Sequence, residues 1–592
     1  MSMKILHFRI NISLLRLGGL LAVLLTCFGT EGKNRRNDRV VTNPIDLAYA
    51  FTRDDKAGGR EAADPMIVPF GGKYYLFATK NYGYWVSDNL CDWTFITSDV
   101  LPFHRFAPAA MAYKGELYWM GSLDNRLYKT QTPDDGNSWT LASDEICAYR
   151  DDPQRTVVDP YLFADDDQRV FLYWGSSMEE PIRGVELDPE HGFRPKGDPA
   201  VLIGHHEDVY GWECRGDRNE RSEPSCSEGA AMLKHDGRYY LQYAGPGTQF
   251  DTYGDGLYVS ENPLGPFTHA DASPFSVKVG GWMTGAGHGT TFQDKYGNWW
   301  HVATTVIAQR YKFERRIGLW PVVFTPGGGM FALSDYADMP FVVPDRPMDW
   351  TKCPPWTGCV DLSVGKAVAA SSQTQDHQAS CATDFSIKTW WSATTGEEGE
   401  WICVDLGKKC TVNAIQTNFA DEGFGMYESD APVKTPYRFV LEVSANGTTW
   451  HCVSDRTDNG RGGTHRTHEL IVLPRPAKAR YVRLTNKARL TGKFSVYDLR
   501  IFGRSAEKAP EAVGDIRVDR KADRRRIEVS WPKSQRATGY VVRWGLSPDA
   551  LFSTCQTLDN RLELGLFSTD QEYFFRVDAW GDGGITTGKK VK

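Results

Sequence analysis

The chain has 592 residues, and since a single hydrophobic core rarely grows beyond about 250–300 residues, the length predicts two to four domains. Apolar residues make up 41% of the sequence and charged residues 24%, which is ordinary for globular protein. The net charge of −7, without a basic stripe along the chain, argues against nucleic acid as a partner.

Residues 1–30 have the pattern of a secretory signal peptide. Lys4, His7 and Arg9 supply a positive start, and an apolar core of about a dozen residues follows from Leu17 to Phe28. This core is too short to span a bilayer comfortably. We therefore expect an exported protein, located in the periplasm, outside the cell or at the cell surface.

The cysteines raise two further points about export. A lipid anchor on Cys27 is the alternative to soluble export, and it would give the protein a membrane attachment. An oxidising compartment permits disulfides, and the close pairs are Cys214 with Cys226 and Cys353 with Cys359. No spacing resembles a CxxC zinc site.

Five seven-residue stretches begin a repeated pattern in the first half of the chain. Each is followed by a Gly- or Asp-rich turn and an aromatic apolar run, which predicts a β-hairpin. Five copies, spaced about 40–70 residues apart, predict an array of sheets. Further strand pairs between the copies complete four-stranded sheets, so we expect an all-β, five-bladed β-propeller over residues 40–345. The stretches are DPMIVPF from Asp64, APAAMAY from Ala107, DPYLFAD from Asp159, EGAAMLK from Glu228 and HGTTFQD from His288.

The first residues of these stretches predict a site. If the copies are equivalent in space, their first residues converge on a common axis. Four of them are polar, namely Asp64, Asp159, Glu228 and His288, whereas Ala107 shows that the position can be non-catalytic. Three carboxylates and an imidazole in one pocket are costly without a chemical use.

Three carboxylates suit the hydrolysis of a glycosidic bond. One acid protonates the leaving oxygen, and a second carboxylate activates water or acts as a nucleophile. A third carboxylate keeps the acid protonated by like-charge repulsion. Glu is one methylene longer than Asp and suits a mobile acid, but the spacing alone does not assign the roles.

Three short motifs carry a family resemblance over about residues 44–340. AlaAspPro at 63–65, ValAspPro at 158–160 and SerGluGly at 227–229 resemble the three carboxylate motifs of glycoside hydrolase family 43, in that family's chain order. AlaPro at 107–108 and GlyHisGly at 287–289 resemble its second and fifth blades.

The resemblance implies an inverting enzyme with roles for particular residues. Asp64 is expected to be the general base, Glu228 the general acid, and Asp159 the residue that tunes the pKa of the acid and orients it. No cofactor is required for the chemistry, but His288 is expected to bind a structural calcium ion through water near the axis. A strand arginine is expected to contact substrate, and the count back from Pro321 favours Arg315 over Arg316.

Two aromatic residues are further candidates for substrate binding. Tyr82 and Trp85 are expected to line the subsite next to the scissile bond, with core packing as the alternative interpretation.

Two further domains follow the repeats. Residues 355–505 are strand-rich and resemble discoidin-like domains of the factor V/VIII C type, a β-sandwich family that includes carbohydrate-binding modules. Residues 508–592 hold about seven short alternating strands, which predict an immunoglobulin-like sandwich resembling fibronectin type III. The discoidin-like stretches are AVAASSQTQDHQASCATD, TWWSA, GEWICVDLG, RYVRL and DLRIFG.

The sequence therefore predicts an exported, monomeric glycoside hydrolase acting on a polysaccharide or oligosaccharide. The expected product is α-L-arabinofuranose, and β-D-galactofuranosidase or β-D-xylosidase activity on the same scaffold is the near alternative. A non-catalytic glycan-binding protein is an alternative of another class. In a retaining fructan enzyme, Asp64 would be a nucleophile, with the carboxyls about 5–5.5 Å apart rather than the 6.5–9.5 Å of inversion.

Overall fold

The computed structural model describes residues 39–51, 60–79, 82–103, 106–144, 146, 156–176, 181–307, 313–424, 437–458 and 466–591. These residues are almost entirely in β-strands, and the helical segments among them are three short 3₁₀ turns at Pro189–His191, Gly211–Glu213 and Ala379–Thr383. No helix in this part of the chain has the length and apolar character of a membrane span. The predicted signal peptide and Cys27 lie outside the described residues.

Five antiparallel sheets, here sheets I to V, follow one another along the first half of the chain. Sheet I has strands Met66–Phe70, Lys73–Phe77, Gly83–Ser87 and Thr94–Thr97. Sheet II has Ala109–Tyr113, Glu116–Met120, Leu127–Thr130 and Thr140–Ser143. Sheet III has Tyr161–Ala164, Val170–Trp174, Ile182–Asp188, Arg194–Pro195 and Ala200–Ile203. Sheet IV has Glu228–His235, Arg238–Gly245, Gly254–Ser260 and Thr268–His269. Sheet V has Thr284–Gln293, Trp299–Val306, Arg315–Phe324 and Met330–Ala332.

The first strands of the five sheets contact one another in a closed ring, with sheet V returning to sheet I. Aromatic and aliphatic side chains fill the spaces between neighbouring sheets: Trp119 lies between sheets I and II, Trp174 between II and III, and Trp300 between V and I. Two short pairings complete this region, Arg39–Val41 with Phe341–Val343 and Ala50–Phe51 with Arg60–Glu61. The starts of the first strands are thereby brought together at the centre of the ring.

Two sandwiches follow the ring and share its core. The first contains an eight-stranded sheet and packs on sheets IV and V through one continuous apolar cluster. Its strands are Val360–Asp361, Ala367–Ala370, Trp391–Ser392, Trp401–Phe419, Phe439–Ser444, His451–Asp455, His468–Asn486 and Ser495–Ser505. The second has two sheets and packs on sheets III and IV. Its strands are Arg517–Arg520, Ile527–Ser530, Gly539–Gly545, Ser553–Thr557, Arg561–Leu564, Phe574–Gly581, Gly584–Thr586 and Lys590–Val591.

Neither of the two close cysteine pairs forms a disulfide, since every described cysteine is a free thiol, including Cys353 and Cys359. The Cys214 sulfur lies 3.2 Å from Nη1 of Arg525 in the second sandwich. The Cys226 thiol instead faces Glu228, with Sγ 3.7 Å from Oε2. The two thiols that closeness in sequence suggested as partners therefore have different surroundings.

The register of the repeats differs by one residue in sheet IV. The hairpin turns of sheets I and II follow Phe70 and Tyr113, and the residue six positions before each is Asp64 or Ala107. The turn of sheet IV follows His235, and the same count reaches Gly229 rather than Glu228. A bulge between Glu228 and Ala231 accounts for the extra residue.

The backbone conformations agree with this shifted register. Asp64, Asp159 and His288 have left-handed φ angles of 52°, 51° and 48°, and in sheet IV the left-handed residue is Gly229, with φ 60°. A Cβ on Gly229 would lie 2.8 Å from Cδ2 of His288. Glycine is therefore required at position 229 by both its conformation and its neighbour.

Replacement of Gly229 tests this close packing. Gly237 is the matched control, because it also has a left-handed φ, 76°, but an added Cβ there would meet nothing within 4 Å. We expect Gly237→Ala to cost about 1–2 kcal/mol of folding free energy through backbone strain alone. Gly229→Ala should cost about 1–3 kcal/mol more through the clash with His288. Denaturant unfolding of both variants measures the difference, and equal losses would contradict the packing at position 229.

Candidate active site

A small cavity of ≈ 10 Å³ lies at the centre of the ring and is lined by the first strands of all five sheets. This volume is close to that needed for one water molecule. Its lining residues are Asp64, Pro65, Met66, Ala107, Pro108, Pro160, Tyr161, Gly229, Ala230, His288, Gly289 and Thr290.

The cavity and the residues around it at the centre of the ring are called the hub here. Polar side chains link each sheet to the next around this hub. Four of them are hydroxyls at the ends of second strands. The Thr79 hydroxyl accepts the Ala107 N–H (2.9 Å), Ser122 accepts the Asp159 N–H (3.0 Å), Ser176 donates to Glu228 Oε2 (3.1 Å), and Thr304 accepts the Asp64 N–H (2.8 Å). The fifth link is Asp255, which joins sheet IV to sheet V.

Asp64 is a buried carboxylate held by hydrogen bonds and cations. Oδ2 accepts the Thr79 hydroxyl at 2.5 Å, while Oδ1 lies 3.1 Å from Nη1 of Arg315 and 3.5 Å from Nδ1 of His288. Burial by itself raises the pKa of Asp64, but Arg315, then His288, and then the hydroxyls of Thr79 and Thr304 outweigh it. The pKa of Asp64 therefore lies below its ordinary value, and the carboxyl is ionised at neutral pH.

Arg315 is fixed by partners on both sides. Its Nε and Nη2 donate to Oε1 of Glu61 at 2.9 and 2.6 Å, and Nη1 also donates to the Thr248 hydroxyl at 3.2 Å. Arg315 and Glu61 are both buried, so this charge pair is shielded from solvent. The guanidinium is thus oriented toward Asp64 by a second carboxylate behind it.

His288 interacts electrostatically with Asp64 and also with the other two carboxyls of the hub. Its backbone N–H donates to Oδ1 of Asp255 at 2.7 Å, and the Gly289 N–H donates to Oδ2 at 2.9 Å. His301 Nε2 lies 3.0 Å from the same Oδ2. Burial lowers the pKa of His288, but the carboxylates of Asp64, Asp159 and Glu228 outweigh it and raise the pKa.

Glu228 and Asp159 form the second half of the hub. The Tyr253 hydroxyl donates to Oε1 of Glu228 at 2.6 Å, and Ser176 contacts the carboxyls of both Glu228 and Asp159. Asp159 is buried, and burial raises its pKa to about 7; His288 opposes that rise, whereas the Glu228 and Asp64 carboxylates add to it. Among the residues that the structure describes, no arginine pairs with Asp159 as Arg315 pairs with Asp64, which explains the opposite direction of its pKa shift.

The two aromatic candidates lie in different places. Tyr82 is 36% exposed, and its ring stacks on Phe103 with centroids 4.5 Å apart. Trp85 is 0% exposed and packs in the core between sheets I and V, 5.0 Å from the ring of Phe95. The expectation that Trp85 lines the substrate site is therefore wrong, because no part of its side chain is accessible.

The arginine pair of sheet V points to opposite faces of its strand. Arg315 faces Asp64, whereas Arg316 contacts Nε2 of His468 in the first sandwich at 3.0 Å. Alternation along a strand produces this division.

The residues around His288 do not form a direct metal site. In the part of the chain that the structure describes, no group of three or more His, Cys, Asp and Glu side chains is arranged to hold a metal ion. The His288 imidazole faces Asp64, and its raised pKa favours the charged form beside that carboxylate. A calcium ion bound through water stays a prediction, and no chemical step is assigned to it.

Sequence reasoning missed the residues that support the acids. Thr79, Ser122, Ser176 and Thr304 stand at the same place in their repeats, after the aromatic run, so a hydroxyl column in the aligned repeats could have identified them. Tyr253 and Glu61 had no such signal, because they lie outside the repeated stretches.

Comparison with known proteins agrees with this geometry. The hub combines the acidic groups of a glycoside hydrolase, and residues 59–330 match the model of glycosyl hydrolases family 43. Residues 367–497 match the F5/8 type C domain. The ring therefore carries a family 43 glycosyl hydrolase domain, and an F5/8 type C domain follows it.

The individual proteins that match this chain have low sequence identity to it. The chain is 28% identical over 146 residues to Beta-D-galactofuranosidase xynD of Aspergillus niger, covering 24% of this chain and 36% of that protein, so the match spans about a third of the relative. A solved structure described as a glycoside hydrolase is 19% identical and covers 74% of this chain and 97% of its own, with a TM-score of 0.44. The Bacteroides ovatus xyloglucan protein GH43B is 14% identical over 93% of this chain and 97% of its own, with a TM-score of 0.40.

Substitution of the two aromatic residues separates a substrate contact from a core residue. Trp85→Ala should cost about 3–5 kcal/mol of folding free energy, because a fully buried indole is removed. Tyr82→Ala should leave the melting temperature nearly unchanged and raise KM for a glycan about two- to tenfold, the value of one aromatic contact. Thermal melting and steady-state kinetics measure both effects, and an unchanged KM in Tyr82→Ala would remove Tyr82 from the substrate site.

Proposed function

We propose that the protein is an exported, inverting glycoside hydrolase. In this proposal Asp64 is the general base, Glu228 the general acid, and Asp159 the carboxyl that regulates and orients the acid. One observation carries the proposal. Three carboxyls meet at a hub in two different electrostatic environments, one of which lowers the pKa of Asp64 while the other raises that of Asp159.

The environment of Asp64 supports its role as base. Arg315 and His288 keep its carboxyl ionised, and the adjoining cavity has room for about one water molecule. In the proposed step the water oxygen attacks the anomeric carbon of the sugar, and a water proton passes to Asp64. The bond from the anomeric carbon to the leaving oxygen breaks at the same time, so the configuration inverts.

The environment of Asp159 and Glu228 supports the role of proton donor. These two carboxyls share the Ser176 hydroxyl, and repulsion from Glu228 together with the burial of Asp159 favours retention of one proton on the pair. Asp159 is buried, whereas Glu228 is partly exposed and can reach a bound sugar. Glu228 therefore delivers the proton to the leaving oxygen, and Tyr253 holds its other carboxyl oxygen in place.

The proposed substrate is an α-L-arabinofuranoside in a polysaccharide or oligosaccharide. A β-D-galactofuranoside is the second candidate, favoured by the name of the curated relative in Aspergillus niger. The two sugars share the configuration of the furanose ring and differ by one hydroxymethyl group. A β-D-xyloside is the third candidate on this scaffold.

The remaining features belong to the same proposal. The closed ring of sheets I to V is interpreted as a five-bladed propeller, and the last sandwich as a fibronectin type III domain. Export follows from the signal pattern in residues 1–30, with lipid attachment at Cys27 as the membrane-bound alternative. We expect a monomer with a structural calcium ion near the hub.

A panel of nitrophenyl glycosides tests the reaction and the substrate together. We expect hydrolysis of the arabinofuranoside above that of the galactofuranoside and xyloside, and proton NMR should detect the inverted anomer first. Hydrolysis of an unactivated arabino-oligosaccharide should fall about 10²–10⁴-fold in Glu228→Gln, because the proton donor is lost. Glu190→Gln, at an exposed glutamate remote from the hub, is the control and should be fully active. If Glu228→Gln binds a glycan but neither it nor the wild type hydrolyses one, the protein is a binding protein.

The pH profile tests the role of Asp159. Because the pKa of Asp159 is raised to about 7, the carboxyl pair keeps its proton below this pH and loses it above. The rate constant kcat/KM should therefore fall as the pH rises through about 7. In Asp159→Asn the carboxyl whose pKa is raised to about 7 is absent, so the basic limb of the profile should no longer lie near pH 7. An unmoved limb would contradict the role assigned to Asp159.

A further inference from the structure

Two dipeptides each have one side chain in the hub and one in the boundary with the F5/8 type C domain. In the short strand Arg60–Glu61, Glu61 holds Arg315, whereas Arg60 points to the neighbouring domain. In sheet V, Arg315 faces Asp64, whereas Arg316 points to the same neighbouring domain. The residues that orient the base are therefore covalently adjacent to residues that the next domain holds.

Arg60 is held by a buried ion pair across the boundary. Its Nε lies 2.7 Å from Oδ2 of Asp421, and Nη2 lies 3.3 Å from Oδ1. The two side chains are 1% and 3% exposed. Tyr437 donates its hydroxyl to Oδ1 of Asp421 at 2.9 Å, and Arg60 Nη1 donates to the Tyr49 carbonyl at 2.9 Å. Removal of one partner leaves a buried charge uncompensated, which is strongly unfavourable.

Arg316 is held by a neutral histidine. Nε2 of His468 accepts from Nε of Arg316 at 3.0 Å, and Nδ1 lies 2.9 Å from Oδ1 of Asn418. Burial, with Arg316 and Arg60 nearby, keeps the pKa of His468 well below its ordinary value, so the ring is uncharged and has a free lone pair for Arg316. Nη1 of Arg316 donates to the carbonyls of both Arg60 and Arg315. Arg316 thereby ties the two dipeptides together.

The strand Arg60–Glu61 is too short to fix its own position. It has two residues and pairs only with the two-residue strand Ala50–Phe51 in the part of the chain that the structure describes. Its further contacts include those of the Arg60 side chain and of Arg316, together with the adjoining Ala62 N–H, which donates to the Arg315 carbonyl at 3.4 Å. The placement of Glu61, and through it of Arg315, therefore depends in part on contacts made outside the catalytic domain.

We propose that Asp421 and His468 of the F5/8 type C domain are positioning residues of the catalytic site, which set the orientation of Arg315 toward Asp64. This inference rests on the proposed function, since it assumes that Asp64 is the base. It assigns the F5/8 type C domain a part in catalysis that is separate from any glycan binding.

The proposal predicts a specific effect on the base. The charged and titratable groups that face Asp64 are Arg315, His288, Asp159 and Tyr253. If Arg315 turns away, Asp64 loses its principal cation, and its carboxyl takes up a proton at higher pH. The acid limb of the kcat/KM profile should then move upward, whereas a general loss of folding would lower the rate at every pH without moving the limb.

Three variants and one control test this prediction in the full-length protein. Asp421→Asn keeps the side-chain shape and removes the charge, and Asn tolerates the left-handed φ of 53° at this position. His468→Leu removes the acceptor for Arg316, and His468→Gln retains an amide oxygen that can accept the bond. Asp46→Asn is the matched control, because Asp46 forms an ion pair with Arg466 at 2.8 Å across the same boundary.

Hydrolysis of the preferred nitrophenyl glycoside by the wild type tests the proposed function. The kcat/KM of each variant relative to that of the wild type tests this inference. We expect kcat/KM of Asp421→Asn and His468→Leu to fall at least about tenfold, with the acid limb raised by about one pH unit. His468→Gln should restore most of the rate, and Asp46→Asn should match wild type.

The proposal is overturned if Asp421→Asn and His468→Leu, folded by circular dichroism, keep the wild-type acid limb, whatever their rate. It is equally overturned if Asp46→Asn shifts the limb as far as they do. If Asp421→Asn does not fold, the comparison of His468→Leu with His468→Gln decides by the same criterion.

Discussion

The placement of three carboxyls at one hub, two of them buried, is the constraint on which the rest of this molecule depends. An ionised carboxylate withdrawn from water is stable only with donors or cations around it. Each sheet supplies some of these to its neighbour, as when Thr304 of sheet V binds Asp64 of sheet I, or Asp255 of sheet IV binds the backbone of His288. The closure of the ring and the solvation of the acids are thus satisfied by the same contacts.

Two similar carboxyls at the hub have opposite pKa shifts, because the cations around them are placed asymmetrically. Arg315 lies against Asp64 and is itself held by Glu61, so the nearest positive charge is fixed on one side of the cavity. Asp159 receives burial and repulsion, and in the described part of the chain no arginine pairs with it. A carboxyl with a lowered pKa and one with a raised pKa can therefore coexist at one hub, which a symmetric arrangement would not permit.

The sequence contained the repeat and the acids, because both depend on local patterns: alternation, turn chemistry and position within a copy. Strand alternation also placed only one of Arg315 and Arg316 on the hub face, whereas contact of Arg315 with substrate stays a prediction. It could not separate Trp85 from Tyr82, since both are aromatic residues in one strand region and only packing against sheet V buries Trp85. The one-residue shift at Gly229 was invisible because a bulge leaves the composition of the stretch unchanged. Asp421 and His468 lie hundreds of residues from Asp64, so no local pattern connects them to it.

The left-handed backbone at the hub limits which residues can evolve there. Asp, Asn and His adopt this conformation more readily than most other residues. Positions 64 and 159 are in this conformation, which favours the short Asp side chain at both. In sheet IV the bulge places the left-handed conformation at Gly229, so position 228 is free to carry a residue with one more methylene. The irregular strand thus allows this fold to combine one longer glutamate with two shorter aspartates.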